Sequence, residues 1–226
     1  MSASHRHPWL VVAIVSFLAF VLFTWLTATY DLAPICPDGT STVGFSQMNQ
    51  AFRNATEALR PVCKPLSKLL GYLAMLTAAG YAMLGAVQLV RGRRLAAVDK
   101  RLFVLAGLYA ATFLANFFFE HILTINLRPV FEADGTLEAS YPSSHSLMAV
   151  TVFGSSMLLC RAWLSAHGKQ AEARLSTLAY LATMLLLVVT RACAGVHWLT
   201  DIIGGALLGT VLLSLFALAI YRQDEP

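Results

Sequence analysis

Six long apolar runs leave this chain few ways to fold. A helix needs about 20 consecutive apolar residues to cross the hydrocarbon of a bilayer. Runs of roughly that length fall at residues 9–29, 66–90, 102–125, 144–164, 175–193 and 198–221. Composition points the same way, with 58% of the 226 residues hydrophobic and 12% charged, about half the charge fraction of a soluble domain. The expectation is an all-α integral membrane protein, with residues 1–226 forming a single transmembrane domain built as a six-helix bundle. His5, Arg6 and His7 precede the first run as they would in a signal peptide. That run is long and no small-x-small cleavage site follows it, so it reads as a retained anchor.

Loop charges set an orientation. An inside N-terminus places ten of the 16 Lys and Arg residues in the cytoplasm, including the cluster between Arg91 and Arg101. Arg53, Arg60, Lys64, Lys68, Arg128 and Arg191 then fall outside. The predicted location is a bacterial cytoplasmic membrane, with both termini in the cytoplasm. The basic residues stand in short clusters between apolar runs, which argues against a nucleic-acid partner.

The connection between the first two spans, residues 31–65, is the longest. Within it Phe45, Met48, Phe52, Ala55 and Leu59 recur at helical spacing, which predicts a short interfacial helix or one packed over the outer span ends. Cys36 and Cys63 are the cysteines of this connection. On an oxidising outer side they are the candidates for a disulfide closing it. Gly205 and Gly209 form a GxxxG in the sixth run, beside Gly204, and such small residues let helix backbones approach closely inside a bundle. The oligomeric state is left open.

Ionisable groups at hydrocarbon depth mark functional sites by default. Here they gather in three places: Glu120–Pro129 (EHILTINLRP), Tyr141–His145 (YPSSH) and Thr190–Asp201 (TRACAGVHWLTD). Alternating spans bring all three to one membrane face. His197 and Asp201 are four apart, so on a helix they share a face. The carboxylate then accepts the proton of one imidazole nitrogen and leaves the other free to attack. Pro129 biases Arg128 out of the helical region and so ends the third span at the interface. Ser143 or Ser144 would cap the fourth, whose first-turn N–H groups offer an anion seat. Arg128 and Arg191 supply bidentate donors for phosphoryl oxygens. A lone interfacial arginine is ordinarily a snorkelling anchor; it is the convergence that favours phosphate. A zinc site from His145, His197 and Asp201 is the rival reading. The two arginines would repel a cation, so no metal is expected.

At these residues the sequence resembles the type 2 phosphatidic acid phosphatase (PAP2) superfamily of membrane phosphatases. The signature of that family runs K-x6-R-P, then P-S-G-H, then S-R-x5-H-x3-D. The third part is Thr190-Arg191, His197 and Asp201 at the family spacing, with Thr for Ser. The second is Pro142-Ser143-Ser144-His145, with Ser for Gly. The first keeps Arg128-Pro129 but has His121 where the lysine stands. The resemblance implies a nucleophilic His197 that becomes phosphohistidine, oriented by Asp201. It implies that His145 protonates the leaving oxygen and later activates water. Arg128, Arg191, Ser144 and Ser143 would hold the phosphoryl group, and no cofactor is called for. The imidazole of His121 is shorter than a lysine side chain and only partly cationic near neutral pH. Either His121 or another cation therefore carries the charge of the lysine. The implied activity is hydrolysis of a lipid phosphate or diphosphate, from a phospholipid or an isoprenyl carrier, at the extracytoplasmic face. A phosphotransferase using the same histidine and a non-catalytic lipid-binding protein are the alternatives.

Overall fold

A computed structural model of the chain describes residues 6–35, 41–130 and 136–223. Its helices are α1 (Arg6–Thr29), α2 (Ser46–Ala55), α3 (Arg60–Gly92), α4 (Lys100–His121), α5 (Ser144–Ala166), α6 (Gln170–Cys193) and α7 (Leu199–Gln223). All but α2 are long and apolar enough to cross a membrane, and the chain is an integral multi-pass membrane protein. Large side chains such as Leu18, Trp25, Leu76, Phe113 and Leu175 point outward and are 60–69% exposed. Water would not tolerate so many, whereas lipid tails do.

Successive spans alternate in direction. The last turns of α1, α4 and α6 and the first turns of α3, α5 and α7 therefore share one end of the bundle. All three polar stretches lie there. Helix α7 runs along α1, α4 and α5, while α6 packs on α5 and α3. The interior is assembled from Leu105, Val150, Leu159, Leu213 and Phe216 around α7, and from Ala74, Ala149, Phe153 and Leu187 between α3, α5 and α6.

Two boundaries differ from the sequence reading. The third span was expected to reach residue 125, but α4 stops at His121 with Ile122 as its cap. The backbone bonds that another turn would make are formed sideways instead. Ser140 N–H donates to the Asn126 carbonyl, and Arg128 N–H to that of Glu138, both at 2.9 Å. Leu127 pairs with Ala139 as an isolated bridge. Pro129, which disfavours helix at the residue before it, explains why the extended form wins. The second span begins earlier than residue 66, at Arg60, with Pro61 in its first turn, where a missing N–H does no harm. One departure from an all-α description is a small antiparallel hairpin, β1 (Ala33–Pro34) with β2 (Thr42–Val43).

Helix α2 lies across the end of the bundle that bears the motifs. It is pinned there by a polar residue: Asn49 is buried and bonds Gly44 and Thr200. Met48, Ala55 and the following Leu59 stay exposed. Phe45 and Phe52 are half-buried, Phe45 against the rings of Phe23 and Tyr30, so the apolar stripe is shared between the span ends and the outside.

Candidate active site

The turn between α6 and α7 does most to place the site. Gly195 adopts φ +71° there, a left-handed conformation that side chains disfavour. An added Cβ would also meet the Arg60 side chain at 2.7 Å. Arg191 precedes this turn in the last turn of α6, and His197 follows it; both are buried. The spacing predicts His197 and Asp201 on one helical turn, but α7 starts only at Leu199. Asp201, the third helical residue, turns back so that its Oδ2 accepts the Trp198 N–H at 2.9 Å. This is the reach of an acidic residue toward the cap of its own helix. Its Oδ1 accepts from Asn126 Nδ2, also at 2.9 Å.

The carboxylate of Asp201, fully buried, is therefore fixed before it meets the imidazole. His197 Nδ1 lies 3.5 Å from Oδ2, within ion-pairing range and long for a hydrogen bond. On the other side of the ring, Arg191 Nη2 stands 3.1 Å from His197 Nε2. A guanidinium only donates, so Nε2 accepts and the ring proton sits on Nδ1, facing Asp201. Burial pushes the His197 pKa down. Asp201 pulls it partly back up, and Arg191 and Arg128 depress it further. The result is a neutral imidazole with its reactive lone pair on Nε2.

The second stretch is tied to the third through backbone. Ser143 caps α5, its Oγ facing the Ser146 N–H at 3.5 Å, and its own N–H donates to the Asp201 carbonyl at 2.9 Å. Gly205 makes this approach possible, since a Cβ there would lie 2.5 Å from the Ser143 carbonyl oxygen. Gly204 packs on the Tyr141 ring and Gly209 on Val150. The glycine cluster thus serves packing of α7 on α5 inside the bundle. In the first turn of α5, the His145 ring lies against Gly71 of α3, where a Cβ would sit 2.9 Å from Cδ2 and 3.0 Å from Nε2. Arg191 and Arg128 are the charged neighbours of His145, with the His197 ring close by. A π-helical turn, Ala149–Phe153, follows, a feature often found beside functional residues.

Arg128 reaches the site from the extended segment, its Nη1 3.0 Å from Glu138 Oε2. It lines two cavities. A narrow one is walled by Glu120, Tyr141, Ser144 and His197. A larger one, about 570 Å³, is walled by His145, Arg191, Lys64 and Lys68. His121 is not brought in. It is exposed at the end of α4, edge-on to Phe117 at 4.5 Å between ring centres, and lines neither cavity. Cys36 lies outside the described residues, and with it the proposed pairing to Cys63. Among the described residues Cys63 forms no disulfide, and it lies in contact with Cys193. Among the described residues no three His, Cys, Asp or Glu converge as metal ligands.

Sequence reasoning passed over several residues that shape the site. Asn126 holds Asp201, and Thr200 takes bonds from both Asn126 and Asn49. The available signal was an asparagine inside the polar stretch that ends the third span, since an amide at that depth needs partners. Trp198 donates to the Leu127 carbonyl at 2.8 Å and stacks under Arg53 at 5.9 Å. Arg53 in turn reaches the Pro129 carbonyl at 3.1 Å. These bonds fasten α2, the Arg128 segment and the His197 turn together, and nothing in their spacing announced it.

A solved structure, described as the first transmembrane PAP2 type phosphatidylglycerolphosphate phosphatase from Bacillus subtilis, superposes with a TM-score of 0.68. It covers 94% of this chain and 97% of its own at 17% identity, and so speaks for the fold. Comparison with curated protein sequences finds no significant match. The sequence profile of the PAP2 superfamily matches residues 11–225. The chain, with its six spans and its His145, Arg191, His197 and Asp201 gathered at one end of them, belongs to the PAP2 superfamily.

Proposed function

We propose that this membrane phosphatase hydrolyses a phosphate or diphosphate ester of a lipid through a phosphohistidine at His197. The observation that carries the reading is the buried, neutral imidazole held between Asp201 and Arg191. In the first step Nε2 attacks phosphorus while the bond from phosphorus to the leaving oxygen breaks. The leaving oxygen takes a proton from His145. The imidazole becomes cationic as it bonds phosphorus, and the Asp201 carboxylate beside Nδ1 stabilises that charge. In the second step a water attacks phosphorus, gives its proton to His145, and the N–P bond breaks to release phosphate.

Arg191 engages the same lone pair that must react. Attack therefore requires its guanidinium to exchange that bond for phosphoryl oxygens, so substrate binding and nucleophile release become one event. Arg128 and Ser144 join in holding those oxygens, with Ser143 fixing the helix start. Fixed donors in a site shielded from water are the largest source of stabilisation available to such a transition state. All the positive charge in this scheme comes from side chains. Loop charges support a site at the extracytoplasmic face of a bacterial cytoplasmic membrane, with the termini on the other side.

The test is phosphate release by purified protein in lipid or detergent. The panel comprises phosphatidate, phosphatidylglycerophosphate, a lipid A phosphate and an isoprenyl diphosphate, with His197→Ala as the control. Release from at least one lipid, lost in the variant, is expected. Release equal in wild type and variant contradicts the reading. A phosphorylated lipid in place of free phosphate would indicate transfer rather than hydrolysis.

A further inference from the structure

The third span lacks the lysine of the family signature, and His121 in its place points away from the cavities. Two further cations line the site all the same, on a different helix. Lys64 and Lys68 of α3 line the same cavity of about 570 Å³ as Arg128, His145 and Arg191. They are one turn apart on α3, and Gly71 continues the same face. Gly71 is the residue that touches the His145 ring. Cys63, the neighbour of Lys64, is in contact with Cys193, two residues beyond Arg191. The first turns of α3 are thereby anchored against the site at two independent points. No carboxylate among the described residues pairs with Lys64 or Lys68. The cavity is several times larger than one phosphate group needs.

We propose that Lys64 and Lys68 form a second cationic arm that holds negative charge on the leaving-group side of the substrate. This rests on the phosphatase reading above. His197 attacks from one side of phosphorus, and the leaving oxygen departs toward His145, the residue that α3 covers. A leaving group carrying its own phosphate places that charge beside the two ammonium groups, whereas an uncharged lipid alcohol places nothing there. The enzyme accordingly favours lipids with two phosphate groups in reach, and the preference is encoded on span two. Ammonium groups on long stems are strongly hydrated, mobile point charges, suited to a second phosphate whose position differs between lipids.

The experiment compares wild type, the double variant Lys64→Gln/Lys68→Gln and the double variant Lys64→Arg/Lys68→Arg. Phosphate release is measured on an isoprenyl diphosphate and on the monophosphate of the same chain. The glutamine pair is expected to reduce kcat/KM on the diphosphate by about ten-fold or more, and on the monophosphate by no more than about three-fold, where ten-fold is 1.4 kcal/mol. The arginine pair is expected to restore the preference. Equal losses on both lipids, no loss on either, or no rescue by arginine overturns the inference.

A second readout does not depend on turnover. Inorganic pyrophosphate should stabilise purified wild type against thermal unfolding at lower concentration than orthophosphate does, and the glutamine pair should erase that difference. If no lipid is turned over yet the pyrophosphate preference is present and lysine-dependent, the phosphatase reading fails and the cationic arm stands. If wild type lacks the preference, the arm fails even where phosphate release is intact.

Discussion

Spans α5 and α7 differ from spans α3 and α6 in what surrounds them. The most apolar windows of α5 and α7 are 61% and 50% buried within the protein, against 6% and 17% for α3 and α6. The inner pair carries His145 and Asp201, and His197 lies just before α7; the outer pair carries Arg191, Lys64 and Lys68. In the proposed reaction the groups that must be placed to within a fraction of an ångström belong to the inner pair. These helices are locked by the bond from Ser143 to Asp201 and by the close contact at Gly205. The groups that only have to supply charge belong mostly to the outer wall, where a long side chain can follow a head group. Arg191 is the link, a residue of the outer wall whose guanidinium reaches the buried ring.

The comparison predicts a gradient of effects. Replacing Asp201 by Asn keeps the shape but loses the charge that stabilises the imidazolium and puts a potential donor beside Nδ1–H. Phosphate release should fall by about 10³–10⁴-fold; a loss below about ten-fold would show that the carboxylate serves the fold alone. Arg191→Lys keeps a charge without the fork, and a loss of about 10²-fold in kcat is expected. Near-wild-type activity would mean that Arg191 is an anchor for its helix. Gly205→Val sets a Cβ against the Ser143 carbonyl. It should lower stability by about 1–3 kcal/mol, read as a drop in Tm in detergent, together with activity. At the bottom of the gradient, Leu76→Ala on the lipid-facing side of α3 removes a side chain that is 69% exposed. Its effect should stay within about 0.5 kcal/mol and leave turnover unchanged.

The pH dependence sharpens the same contrast. A histidine at the surface titrates near 6.5, whereas burial holds His197 below that value. The reactive form is the neutral one. As pH falls through 6.5, kcat/KM should therefore hold, and the limb due to His197 should appear only at lower pH. A limb assigned to His197 at or above 6.5 would contradict a buried nucleophile.

Much of this was legible in the residues. Six runs of apolar sequence announced six spans, and alternation alone carried Arg128, His145 and His197 to one end. The complete spacing from Arg191 to Asp201 made the third stretch readable down to single side chains. Other parts were not legible, for physical reasons. Periodicity puts His197 and Asp201 on one helix, but Asp201 is occupied in starting that helix, and His197 falls just before it. Asn49 falls between the apolar positions of α2, and spacing does not say that Thr200 lies beneath it. Lys64 and Lys68 flank the boundary between a loop and an apolar run, where snorkelling lysines are common. The packing of Gly71 on His145 and the contact of Cys63 with Cys193 show which way that helix face turns.

The mechanism turns on His197 itself taking the phosphoryl group. It is tested most directly by mixing the protein with a ³²P-labelled lipid phosphate and quenching in alkali within a single turnover. The protein is then digested to locate the label. An alkali-stable, acid-labile label is expected on the peptide containing His197, absent from His197→Ala and appearing no later than free phosphate. Turnover with no label on that peptide, or a variant that releases phosphate as wild type does, would contradict it.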